Sequence, residues 1–216
     1  MNAAVTNEAV LDRPPEAAED SAKRRQIVEG ARQIFLARGF DAASMSDIAK
    51  AAGVSKGTLY VYFKHKEELF GAIVMLECAG QAEGVFDLDP RDPDVEGALK
   101  RLGIAFVNFL CRPEKASALR TVIAIADRMP SIGKTFYETG PSAGIVKLAA
   151  YLKAQTAAGL LTVDDPEVAA AQFIETCQGT LFKPVLFNFA PPPTAERAKH
   201  VVDIAVRVFM AAYRAK

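Results

Sequence analysis

Residues 44–66 gather side chains suited to polar recognition: Ser55, Lys56, Gly57, Thr58, Tyr60, Tyr62 and Lys66. Lys56 can reach a base acceptor or a phosphate, Thr58 can touch a thymine methyl or donate a hydrogen bond, and Gly57 lets a backbone come close. Tyr60 and Tyr62 fall off the apolar line of their segment, which leaves their hydroxyls for phosphate oxygens. Lys66 opens the next periodic segment, and helix N-terminal amides there can hold a phosphate themselves. Bond-making chemistry has no comparable cluster. The two histidines, His65 and His200, stand far apart, and no Ser/His/Asp, HExxH or phosphate-loop spacing occurs. Cys78, Cys111 and Cys177 are isolated and odd in number, which argues against a disulfide framework or a structural zinc and fits a reducing compartment. The expectation is a binding protein with no catalytic residue, no cofactor and no metal.

The polar residues need a scaffold, and the local signals supply one. Ser44 followed three residues later by Asp47 is a capping box, so a helix starts at Met45. Ile48, Ala49 and Ala52 form its inner face, Gly53 supplies a left-handed turn residue, and Val54 plugs the angle. Ser55 caps a second short helix from Lys56, held inward by Leu59 and Phe63. Two short helices around a glycine turn are the helix-turn-helix plan, whose second helix enters the major groove of DNA. An earlier helix, near 20–38, turns Ile27, Ala31, Ile34 and Phe35 to one side and ends at Gly39. Formal net charge over the whole chain is zero, but residues 20–66 hold nine Lys and Arg against four Asp and Glu, a net +5. A basic block on a slightly acidic body suits a DNA-binding head.

The stretch GFDAASMSDIAKAAGVSKGTLYVYFKHKEELF, residues 39–70, resembles the DNA-binding signature of the TetR/AcrR family at nearly every position. That resemblance implies an all-helical homodimer, with three N-terminal helices on DNA and a C-terminal body holding a small-molecule pocket. It also implies DNA contacts at Ser44, Ser46, Lys56, Gly57, Thr58, Tyr60, Tyr62 and Lys66. His65 departs from the Ser, Thr or Asn usual at its position, while Glu67 and Glu68 suit the first turn of the next helix. The segment LRTVIAIADRMPSIGKTFYETG, 119–140, is also loosely similar to the second domain of AefR-like regulators.

The whole chain reads as all-α, with nine helices near 20–38, 45–52, 56–63, 66–86, 93–111, 114–128, 142–158, 166–188 and 195–214. Residues 1–19, acidic and carrying Pro14-Pro15, read as a disordered tail. The helix-turn-helix domain is expected over 20–66 and a ligand-binding and dimerisation domain over 67–216. Helix 166–188 is apolar on most sides, with a kink expected at Pro184, and 195–214 has a broad apolar face. Both are candidates for a two-fold homodimer contact. Candidate pocket residues are Phe106, Phe109, Arg120, Tyr137, Phe173 and Cys177, fitting an apolar or aromatic effector with one or two polar anchors. Arg120 interrupts an apolar stretch and, if buried, needs a partner. No run reaches membrane-spanning length and no signal peptide is evident, so a cytoplasmic location is expected. The resulting expectation is a ligand-responsive regulator, acting as a repressor released from a palindromic double-stranded operator when an effector moves the helix at 66–86.

Overall fold

A computed structural model describes residues 15–79 and 82–215, with side chains over 20–74 and 84–215. The first fourteen residues of the expected tail, and the Cys78 side chain, lie outside the described residues. Every named element among those described is helical, and Leu161 and Arg214 meet in an isolated bridge. The chain divides into two compact units, the first ending at Phe70 and the second beginning at Gly71.

In the first unit, α1 (Pro15–Ala42) begins before the expected position 20. It buries Ile27, Val28, Ala31 and Phe35, residues that recur on one face at helical spacing. Gly39 breaks it with φ 76° and ψ 170°, a left-handed backbone that an L side chain resists. The break folds Phe40 back onto the unit's core. Its ring stacks on Phe35 at 5.5 Å, and both rings meet Phe70 edge-on at 5.5 Å. Helix α2 (Met45–Ala51) packs on α1 and α3 (Lys56–Tyr62) on α2, and α4 (Lys66–Ala79) follows. Gly30 is the point of closest approach: a Cβ there would lie 2.6 Å from Cα and N of Ala52. Beside it, Gln26 Nε2 donates to the Ala52 carbonyl at 2.7 Å.

The second unit contains the short α5 (Ala82–Val85), then α6 (Val95–Leu110), α7 (Pro113–Ala126), α8 (Pro130–Tyr137), a π-helical turn (Glu138–Ser142), α9 (Ala143–Ala157), α10 (Pro166–Gln178), α11 (Phe182–Leu186) and α12 (Ala195–Tyr213). Its core joins Leu99, Leu102 and Val107 of α6, Leu148 and Leu152 of α9, Phe173 and Cys177 of α10, and Val202, Val206 and Phe209 of α12. Gly103 is pressed against Val202, where a Cβ would meet a methyl at 2.7 Å. Buried Gln155 donates from Nε2 to the Pro90 carbonyl at 2.9 Å and so anchors the loop before α6.

Within the expected helix 66–86 lie α4, to Ala79, and α5, from Ala82, with residues 80 and 81 outside the described residues. Two elements differ from the expectation, each for a local reason. The expected helix 166–188 stops at Gln178 and restarts as α11. Pro184 is therefore not a mid-helix kink. It stands in the first turn of α11, where N–H groups have no intrahelical partner to lose. Between the expected helices 114–128 and 142–158 lies α8, which runs into the π-turn. Pro141 sits inside that turn; it has no N–H to give and its ring crowds the carbonyl four residues back. Insertion of one residue per turn relieves that clash.

Cys111 and Cys177 are free and buried, and burial alone pushes their thiols up to about 11 and about 12. Both stay protonated at neutral pH, and thiols in that form are poor nucleophiles. Alkylation of the native protein is expected to leave both unmodified by mass spectrometry, with reaction only after denaturant is added. Rapid native labelling of either would show that its surroundings open. No helix among the described residues is long and apolar enough to cross a membrane.

Candidate nucleic-acid interface

The helix-turn-helix rests on three local devices. At the start of α2, Ser44 Oγ accepts from the Asp47 N–H at 3.1 Å and donates to Asp47 Oδ2 at 2.6 Å. Arg38 Nη1 stands 3.2 Å from the same carboxylate. The Ser44 hydroxyl, with Arg38 beside it, holds the Asp47 carboxyl below its usual range. At the end of α2, Gly53 adopts φ 63°, its N–H reaches the Lys50 carbonyl at 3.2 Å, and Val54 N–H reaches the Ala49 carbonyl at 3.0 Å. Those paired bonds form a Schellman closure and reverse the chain between the two helices. Ser55 then caps α3, accepting from the Thr58 N–H at 3.0 Å, and the two hydroxyls pair at 2.8 Å.

With Leu59 and Phe63 buried, α3 turns Lys56, Gly57, Tyr60 and Val61 outward. Tyr60 is 51 % exposed and Val61 81 % exposed. Ser46 is exposed on the outer side of α2. Four other expected contact residues have their polar groups engaged inside the unit, Thr58 through the Ser55 hydroxyl among them. Ser44 serves Asp47, as above. The Tyr62 hydroxyl donates to the Asp20 carboxylate of α1, and that bond raises the phenol above its usual range. Lys66 Nζ donates to the carbonyls of Phe40 at 2.9 Å, Asp41 at 3.1 Å and Ala43 at 3.3 Å, and lies 4.6 Å from the centroid of the Phe40 ring. All three ammonium protons are thus directed at the end of α1. At the start of α4, Glu68 Oε2 accepts from the Lys64 N–H at 2.8 Å, and Glu68 Oε1 lies 3.6 Å from His65 Nδ1. Glu68 thereby ties the chain at Lys64 and His65 to the first turn of α4.

In the second unit, a cavity of about 330 Å³ opens among α5, α6, α7, α8, the π-turn, α9, α10 and α11. Of the candidate pocket residues, Phe106 and Phe109 line it. The other four are not among its lining. Arg120 Nη1 donates to the Leu186 carbonyl at 2.9 Å, which answers its need for a partner by closing the C-terminal end of α11. Tyr137 is 57 % exposed. Phe173 packs edge-on against Phe209 at 5.5 Å, and Cys177 Sγ would lie 3.1 Å from a Cβ on Gly103, so both belong to the core.

The N-terminal profile of the tetR family of bacterial regulatory proteins matches residues 27–73. The profile of the AefR-like transcriptional repressor C-terminal domain matches residues 97–215. The chain belongs to the TetR family. A crystallised TetR-family regulator from Mesorhizobium loti is 30 % identical, covers 90 % of this chain and 98 % of its own, and superposes with a TM-score of 0.84. The flavonoid-responsive regulator FrrA is 32 % identical, with the same two coverages and a TM-score of 0.76. Among curated relatives, the HTH-type transcriptional repressor Rv1474c of Mycobacterium tuberculosis is 39 % identical over 61 residues, 27 % of this chain and 33 % of its own length. The chain therefore spans about a third of that relative.

Members of the TetR family are transcriptional regulators and not enzymes, in line with the residue chemistry. Within this TetR-family fold, sequence reasoning overlooked Val61. An apolar residue two positions past Leu59 cannot share the inward face of a helix, and that spacing was the available signal. It also overlooked three aromatic residues of the cavity wall, Phe86, Phe136 and Phe182. Phenylalanine periodicity marks burial but does not distinguish a packed ring from one facing a void.

Proposed function

We propose that this chain is a dimeric, operator-binding repressor, released by a small apolar or aromatic effector held in the second unit. The observation that carries the reading is α3: a capped recognition helix anchored by Leu59 and Phe63, with Lys56, Gly57, Tyr60 and Val61 facing solvent. In this reading residues 20–66 meet DNA and 67–216 bind effector and partner. Ser46, Lys56, Gly57 and Tyr60 make the readiest DNA contacts. Ser44, Thr58, Tyr62 and Lys66 have their polar groups engaged within the unit, so DNA must compete for them. Exposed Val61 suits a thymine methyl.

Dimerisation through 166–188 and 195–214 is supported by apolar side chains left open on those segments. Val168, Ile204 and Val208 are exposed, Phe187 is 77 % exposed, and Phe189, one residue beyond the first segment, is 86 % exposed. A two-fold contact places the same surface on both copies and buries such groups in pairs. The similarity to the flavonoid-responsive regulator FrrA supports a small-molecule trigger. Helix α4 begins in the first unit and ends in the second, so it is the covalent route by which an effector reaches the reading heads.

Footprinting the full chain on DNA flanking its own gene tests this. Protection is expected on an inverted repeat with half-sites about one helical turn, roughly 34–36 Å, apart or a multiple of it. Uniform protection without preference for any repeat would mark a non-specific DNA coat instead.

A further inference from the structure

The cavity of the second unit has walls of one chemistry and a rim of another. Phe86, Phe106, Phe136 and Phe182 supply aromatic wall, and Phe86 meets Phe106 edge to face at 6.0 Å and 61°. The polar lining comes from Lys115 on α7 and from Glu175 and Gln178 on α10. Glu175 is exposed and the other two half-buried, whereas Phe86 and Phe182 are buried, so the polar side is the solvent side. Lys115 Nζ stands 4.9 Å from the centroid of the Phe109 ring, and Gln178 Nε2 donates to Glu175 Oε1 at 2.6 Å.

A rim of both signs discriminates among ligands. A carboxylate gains from Lys115 but is repelled by Glu175, and an ammonium meets the reverse. A hydrocarbon fills the wall but leaves the rim to water. A hydroxyl suits both kinds of group, since it can donate to a carboxylate and accept from an ammonium or an amide. The wall favours rings, because aromatic pairs gain from edge and offset contacts at about 4.5–7 Å. A volume of about 330 Å³ lies at the small end of the range of about 300–1,000 Å³ for small-molecule sites. We infer that the effector is a neutral, compact, multi-ring phenol, its rings among the phenylalanines and a hydroxyl at the Lys115, Glu175 and Gln178 rim. The inference rests on the reading of the second unit as an effector domain.

Calorimetric titration of the full chain with three probes tests it: naringenin, the unhydroxylated flavanone of the same ring frame, and dodecanoate. Naringenin is expected to bind about tenfold or more tighter than flavanone, the value of a hydrogen bond to a charged group. Glu175→Ala should remove most of that ratio. Ala171→Leu and Ala118→Leu, which fill the lining independently, should each remove binding of both ring probes while helical circular dichroism is retained. Equal binding of naringenin and flavanone, or tighter binding of dodecanoate, overturns the phenol but leaves the effector site standing if the filling variants still abolish it. If no probe binds, or the filled variants bind as before, the effector reading of the cavity falls as well.

Discussion

Gly30→Ala is expected to disrupt the first unit and, with it, DNA binding. A Cβ at that position would lie 2.6 Å from both Cα and N of Ala52 and 2.7 Å from its Cβ. Backbone cannot rotate away as a flexible side chain does, so α1 and the end of α2 must separate. Overpacking of this kind costs about 1–3 kcal/mol and occasionally more. Alanine recovers only about 1 kcal/mol of helix propensity over glycine. The local geometry makes the damage functional. Ala52 also accepts the Gln26 bond and precedes Gly53, whose left-handed turn aims α3. Urea unfolding followed by a reporter within residues 20–70 should show an earlier midpoint, and operator affinity should fall with it. An unchanged or later midpoint would mean that α1 and α2 can part without cost.

The parts of this unit that were legible in the sequence are those whose partners lie within a turn or two. Ser44 with Asp47, Ser55 with Thr58 and the Gly53 closure each span three to five residues, so residue type and spacing determine them. For Lys66 the resemblance implies a DNA contact, and nothing local betrays that its ammonium reaches carbonyls 23 to 26 positions back. Tyr62 and Asp20 are 42 positions apart, and Arg120 finds Leu186 across 66. Such pairs follow from tertiary packing, which periodicity does not encode. The prolines carry a related lesson. Pro184, expected to kink a continuous helix, lies in a first turn where it is harmless, while Pro141 lies inside a π-turn. The same ring has different consequences at different positions in a helix. The cavity was the least legible feature, since Phe106 and Phe173 share a composition signal and only one of them faces a void.

Lys56 and Lys66 provide the sharpest separation between reading DNA and holding the reader. Lys56 is exposed at the first position of α3, so Lys56→Ala removes no partner from within the unit. Its loss is expected to weaken operator binding by about 1–3 kcal/mol if it meets a base, or to reduce the salt slope by about 1 if it meets a phosphate. The unfolding midpoint should not move. Lys66→Met keeps the length of the stem but leaves the carbonyls of Phe40, Asp41 and Ala43 without their donor. Hydrogen bonds to a charged group contribute about 1.5–3 kcal/mol, so this variant should unfold earlier by roughly that amount. DNA affinity should fall through the folded fraction alone, with the slope of log affinity against log salt unchanged. A reduced salt slope at Lys66→Met with undiminished stability would reverse the assignment and return the Lys66 ammonium to the phosphate backbone. The two lysines are ten positions apart and carry the same charge, so the contrast isolates what each ammonium is bonded to.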